Sequence, residues 1–218
     1  MKRYVYIVLA IIIIALGVTS LRLSNFGTDP FNCMNLGVSS HLPISYGTYQ
    51  LLVNILMFVP LYILKPSILG LGAIANMFFC AYIVEGFSFA FQKMGMTNES
   101  LQGCFLIRIL FLIVGLFCMC FGAALYMECN MGVAAYDALG LIIEEKVSGR
   151  IKYRNIRIVT DITCILIGFF TGSVVGIGTI ISAFFTGPLI QCIRQCIRDV
   201  PLQCIRDVPF VTRSVPLS

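Results

Sequence analysis

Charge is scarce in this chain, and histidine almost absent. Only 11% of its 218 residues are Asp, Glu, Lys or Arg, against 59% hydrophobic residues. Soluble domains carry about a quarter charged residues, so a soluble globular fold is excluded. The single histidine, His41, and the lack of any C-x-x-C pair leave a zinc or dithiol redox centre without its ligands. No Walker lysine or Rossmann unit accompanies the glycines, and there is no G-x-S-x-G or H-E-x-x-H. An enzyme is therefore not expected, nor is a metal, a cofactor or a nucleic-acid partner.

What is present is apolar sequence in long runs. Several stretches reach the roughly 20 residues needed to cross a bilayer. The expected fold class is all-α, a polytopic membrane protein with about six helices, at 4–21, 47–64, 68–91, 103–127, 152–171 and 173–194. A single membrane domain over 1–194 fills the chain. Residues 1–17, MKRYVYIVLAIIIIALG, have the basic start and apolar run of a signal peptide. They lack a convincing cleavage pattern and read as a retained first helix. The ten cysteines fall mostly inside apolar spans, where a thiol behaves as a small hydrophobe.

The chain also reads as one unit written twice. ALGVTSLRLSNFG (15–27) lies over CFGAALYMECNMG (120–132), so that Gly17, Asn25 and Gly27 fall on Gly122, Asn130 and Gly132 at a spacing of 105. Phe31-Asn32 falls on Tyr136-Asp137 at the same spacing. After a two-residue slip, 44–54 lies over 151–161, pairing Tyr46 with Tyr153 and Asn54 with Asp161; 70–79 then lies over 176–185 at 106. Each copy (about 4–91 and about 103–194) holds three spans. Three is odd, so the second copy enters the bilayer from the opposite side, as in the inverted repeats of many secondary transporters.

Basic residues agree with that inversion. With the N-terminus inside, twelve of the fifteen Lys and Arg are cytoplasmic and only Arg22, Lys93 and Arg108 lie outside. Segment 132–157 carries five of them and its counterpart 27–50 none. Both termini are expected in the cytoplasm. The two linkers, 28–46 and 133–149, each read as a short helix. The first opens on Asp29-Pro30 and stops before Pro43; the second is closed by Gly149. Either each dips into the protein or each lies flat at the surface. The tail, 195–218, repeats Gln-Cys-Ile-Arg-Asp-Val-Pro at 195–201 and 203–209 and reads as a flexible cytoplasmic appendage.

Polar groups at membrane depth are costly and mark candidate sites. Asp161 is the strongest, with Arg157 and Arg154 four and seven residues earlier on one helical face. It either neutralises Arg157 near the inner surface or faces a cavity as a proton or cation site. Asn54, Asp137 and Asn32 complete the pathway candidates through the repeat pairings. Gly70, Gly72, Gly172, Gly176, Gly178 and Gly187 are candidates for close helix packing or for breaking a helix to expose carbonyls.

Residues 132–191 resemble the YczE/YitT-like bacterial membrane proteins. Gly132, Tyr136, Asp137, Arg154, Arg157, Asp161, Gly168, Gly172, Gly176, Gly178, Thr179, Gly187 and Pro188 carry the likeness, with Gly27, Asp29, Pro30 and Gly47 as a weaker first-half counterpart. Ala134-Ala135 stands where that pattern has a proline. The resemblance implies a multi-pass protein of the bacterial cytoplasmic membrane and no particular reaction. The expected function is movement of a small solute or ion through a site between the repeats, with a homodimer admissible. The alternative is a scaffold or accessory protein that binds a membrane partner through its basic cytoplasmic face.

Overall fold

The computed structural model describes residues 2–65, 70–97, 100–101, 103–129, 132, 134–147 and 153–199. Within them lie α1 (Lys2–Ser24), α2 (Pro30–Ser39), α3 (Tyr46–Leu64), α4 (Leu71–Lys93), α5 (Phe105–Glu128), α6 (Ala135–Lys146), α7 (Tyr153–Phe170) and α8 (Ile177–Asp199). The fold is all-helical, and the order long, short, long, long occurs twice. Five of the long helices are apolar enough to cross a membrane. The exception is α7, whose 18 residues include Arg154, Arg157 and Asp161. Outward faces are greasy: Leu56, Ile63, Leu106 and Phe170 are each at least 75% exposed, as side chains facing lipid would be.

Helix ends differ in places from those read off the sequence. α4 begins at Leu71 rather than 68, behind Gly70 as its cap. α8 begins at Ile177 rather than 173, because the glycines at 172 and 176 shape the turn before it. It then runs on to Asp199 through the first tail residues; the rest of the tail, from 200, lies outside the described residues, as do Asn130 and Gly149.

α1 and α5 cross at the centre of the fold, and small residues set how closely. A methyl group at Gly17 would stand 2.6 Å from the Met119 backbone nitrogen and 2.9 Å from the Gly115 carbonyl oxygen. One at Gly122 would stand 3.0 Å from the Ile14 nitrogen and 3.0 Å from the Ala10 oxygen. Ala10 and Gly115, Ile14 and Met119, and Gly17 and Gly122 are all 105 apart, so one contact is made twice. Such close backbone approach is what small residues permit between membrane helices.

The two breaks that follow are also alike. Gly27 (φ +100) and Gly132 (φ +106) both hold a backbone conformation that favours glycine. Gly27 abuts the backbone nitrogen of Gly176, and Gly132 that of Gly70. Gly178 donates its N–H to the Phe26 carbonyl (2.8 Å) and the Ser182 hydroxyl meets Thr28.

α2 then packs along α7, with Cys33 against Gly168 and Gly37 against Thr171 and Ser173. Its buried residues, Pro30, Asn32, Cys33, Asn35, Gly37 and Ser39, leave no single wet face. α6 packs along α3 through Ala135, Ala138 and Ile142 against Leu61. Each short helix thus packs against a long one, α2 on α7 and α6 on α3. Asp29 caps the first α2 turn, accepting the Asn32 N–H at 3.2 Å, with Pro30 at the opening position.

Candidate functional site

The N-terminal turns of the two short helices meet. Phe31 of α2 and Tyr136 of α6 stack with ring centroids 4.8 Å apart and planes 32° from parallel. Polar groups gather on both sides of this contact.

On the α6 side, the Arg157 guanidinium forms an ion pair with Asp137, and its Nε stands 3.5 Å from Asp161 Oδ1. The Tyr136 hydroxyl donates to the same Oδ1 at 2.5 Å and lies 3.7 Å from Cys164 Sγ. Arg157 also covers the Tyr136 ring, 4.7 Å from its centroid. Asp161 is only 4% exposed, so its carboxylate exists there by virtue of these donors. The helical spacing of four that links Arg157 to Asp161 was legible in advance; the contributions of Asp137 and Tyr136 come from α6 lying against α7.

On the α2 side the arrangement is similar, with amides where the ion pair stands. Asn32 donates its Nδ2–H to Asp29 Oδ1 at 2.6 Å. Its Oδ1 accepts the Tyr46 hydroxyl and, at 3.4 Å, the Gln50 amide. Gln50 stands 107 positions before Arg157, the offset that pairs Tyr46 with Tyr153, and Asn32 stands 105 before Asp137. In the alignment read from the sequence, Gln50–Asn32 thus falls on Arg157–Asp137, an amide pair over an ion pair. Sequence reasoning missed Gln50, although its alignment with Arg157 was the available signal.

Not every group here is satisfied. Asn35, one turn along α2 from Asn32, is completely buried, and neither Nδ2 nor Oδ1 has a hydrogen-bond partner among the described residues. Gln50 Oε1 is likewise buried without a partner. Such groups are rare in folded proteins and costly, by about 1–3 kcal/mol each.

The remaining sequence candidates fall in different places. Asn54 is half-buried on α3 and takes no part in this network of hydrogen bonds. Arg154 lies in the first turn of α7, with its side chain outside the described residues. Gly70, Gly176 and Gly178 sit at backbone-to-backbone contacts, and Gly72 is buried in the first turn of α4. Gly172 holds φ +76 with open space around it, and nothing lies near Gly187. A groove of about 250 Å³ between the ends of α3 and α6 is lined by Leu64, Lys65, Ile142, Glu145 and Lys146, none of them candidates. Among the described residues no group of His, Cys, Asp and Glu could hold a metal ion.

The arrangement can bind and orient a small polar group. What it is akin to follows from comparison. A family model described as a family of unknown function, DUF6198, matches residues 1–195. The chain belongs to the DUF6198 family. It is 26% identical over 202 residues to an uncharacterized protein of Haemophilus influenzae, covering 92% of this chain and 87% of that one. It is 26% identical over 192 residues to the uncharacterized protein YyaS of Bacillus subtilis, covering 87% and 90%. To the uncharacterized membrane protein YczE of the same organism it is 20% identical over 190 residues, covering 87% and 84%. No solved structure matches the chain significantly. The membrane-length helices and the relation to YczE together make this a multi-pass integral membrane protein with bacterial relatives.

Proposed function

We propose that this protein is transporter-like, moving a small solute or ion through a site between two inverted repeats. The observation that carries the reading is Asn35: a fully buried amide with both polar atoms unpartnered, beside the seam where the two halves meet. A protein that only needed a closed core would gain stability from an apolar residue there. Gln50 Oε1 adds a second open valence.

The repeated contacts support the inverted pair. The Gly17 and Gly122 contacts, the Gly27–Gly176 and Gly132–Gly70 contacts, and the Phe31–Tyr136 stack all map onto themselves when the halves are exchanged. In this reading the N- and C-termini are cytoplasmic, α2 re-enters from outside and α6 from inside, and the site lies near the bilayer midplane. Asp161, Asp137, Asn32 and Asn35 line the pathway, while Arg157 and Arg154 set its charge. Asn54, off the network here, would join only in another conformation.

A second reading rests on a different observation. Arg157 is already closed onto Asp137 and Asp161, which is what a non-transporting scaffold would need from them. Uptake by proteoliposomes separates the two. A transporter accumulates at least one solute from a mixed pool, and Asn35→Ala or Asp161→Asn lowers that uptake while the protein still folds. A scaffold shows no protein-dependent flux for any solute, and the substitutions change stability alone.

A further inference from the structure

Arg22 sits in the last turn of α1. An arginine there ordinarily caps the orphan carbonyls and complements the helix dipole. In this protein another residue does that work. Arg108 donates Nε–H to the Ser24 carbonyl at 2.8 Å and Nη2–H to the Asn25 carbonyl at 3.2 Å. The Arg22 guanidinium instead lies over Tyr46, 3.8 Å from the ring centroid. Its Nε and Nη2 are buried without any hydrogen-bond partner among the described residues. No carboxylate among them lies within ion-pair distance of it; the pairs formed involve Lys65, Arg157 and Arg194.

The two open donors are not an arbitrary pair. Nε–H and Nη2–H point the same way along one edge of the guanidinium, and that edge matches two oxygens of one anion. Burying it empty is costly, because a desolvated cation needs acceptors. The tyrosine ring packs against the fork. The Tyr46 hydroxyl, bonded to Asn32, ties it to the polar centre.

We propose that the Nε/Nη2 edge of Arg22 is a binding site for an oxyanion, a carboxylate or phosphate group held by two parallel hydrogen bonds. The group belongs to a small organic acid or free phosphate, or to the headgroup of an anionic phospholipid. The site does not depend on the transport reading, since it is read by binding and not by flux.

The test uses the full chain, purified in neutral detergent and stripped of lipid. Thermal stability is followed against acetate, benzoate and inorganic phosphate at matched ionic strength, and separately against phosphatidylglycerol and phosphatidylcholine. Wild type is stabilised by at least one soluble oxyanion or by phosphatidylglycerol, and not by chloride or phosphatidylcholine. R22Q loses the response, and R22K, which keeps the charge but not the fork, binds at least about tenfold more weakly. Stabilisation by phosphatidylglycerol alone identifies the headgroup as the source. No oxyanion response in wild type, or an equal response in wild type and R22K, overturns the proposal. If R22Q does not fold, R22K carries the comparison.

Discussion

Phe31 stacks on Tyr136, with ring centroids 4.8 Å apart, and the two occupy matching places 105 positions apart in the chain. This contact joins the first turns of the short helices, and the Tyr136 hydroxyl reaches Asp161 beside it. Tyr136→Phe keeps the stack and removes the hydroxyl that donates to the carboxylate. It is expected to destabilise by about 1.5–3 kcal/mol, the range for a hydrogen bond to a charged group. Tyr136→Ala is expected to cost more, since the ring goes too. Unfolding in detergent, with helicity as the readout, checks both.

The Asp137–Arg157–Asp161 cluster is expected to behave as a unit. Arg157→Gln leaves buried carboxylates short of their cation and is expected to cost about 3 kcal/mol. Asp161→Asn alone also destabilises. The Arg157→Gln/Asp161→Asn double variant is expected to lose clearly less than the sum of the singles, because they share one interaction. A double-variant cycle giving strict additivity would show that the two do not interact.

Glycine substitutions are expected to divide sharply. Gly27→Ala meets both a positive φ and the Gly176 backbone nitrogen 2.8 Å away. It is expected to abolish stable folding or cost several kcal/mol, on the order expected when strain and overpacking combine. Gly172→Ala meets only the unfavourable φ and is expected to cost about 1 kcal/mol. Gly86→Ala, inside α4 with open space around it, is expected to be neutral or to stabilise by up to about 1 kcal/mol. Melting temperatures of the three variants order them.

Sidedness tests the inversion. In a cysteine-free background, His41→Cys after α2 is expected to react with an impermeant maleimide added outside intact cells. Glu144→Cys near the end of α6 is expected to react only after the cells are opened. Labelling of both from one side would contradict an inverted pair.

Much of this fold was legible because hydrophobic runs and helix-start signals are local. Asp29-Pro30 announced α2 and indeed caps it, and the six long helices stand close to where the apolar spans lay. Asp161 and Arg157 were found together because a spacing of four is a helical neighbour relation. The rest depends on contacts between distant segments. Arg22 looked like an ordinary outer charge until Arg108, 86 positions away, was found on the carbonyls beside it. Asn35 and Gln50 are neutral amides, and no periodicity marks an amide as unpartnered. Asn54 aligned with Asp161 but does not join its network, since pairing by alignment fixes a place along a helix and not an engaged side chain.

A thermal-stability screen of purified wild type beside Asp161→Asn, against pooled small solutes and ions, tests the proposed solute site most directly. A bound solute at one hundred times its dissociation constant stabilises the folded state by about 2.7 kcal/mol. At least one such solute is expected for wild type, with a lost or weakened response in Asp161→Asn. No stabilising solute across a broad pool, with Asp161→Asn simply less stable, would contradict the proposed site and favour the scaffold.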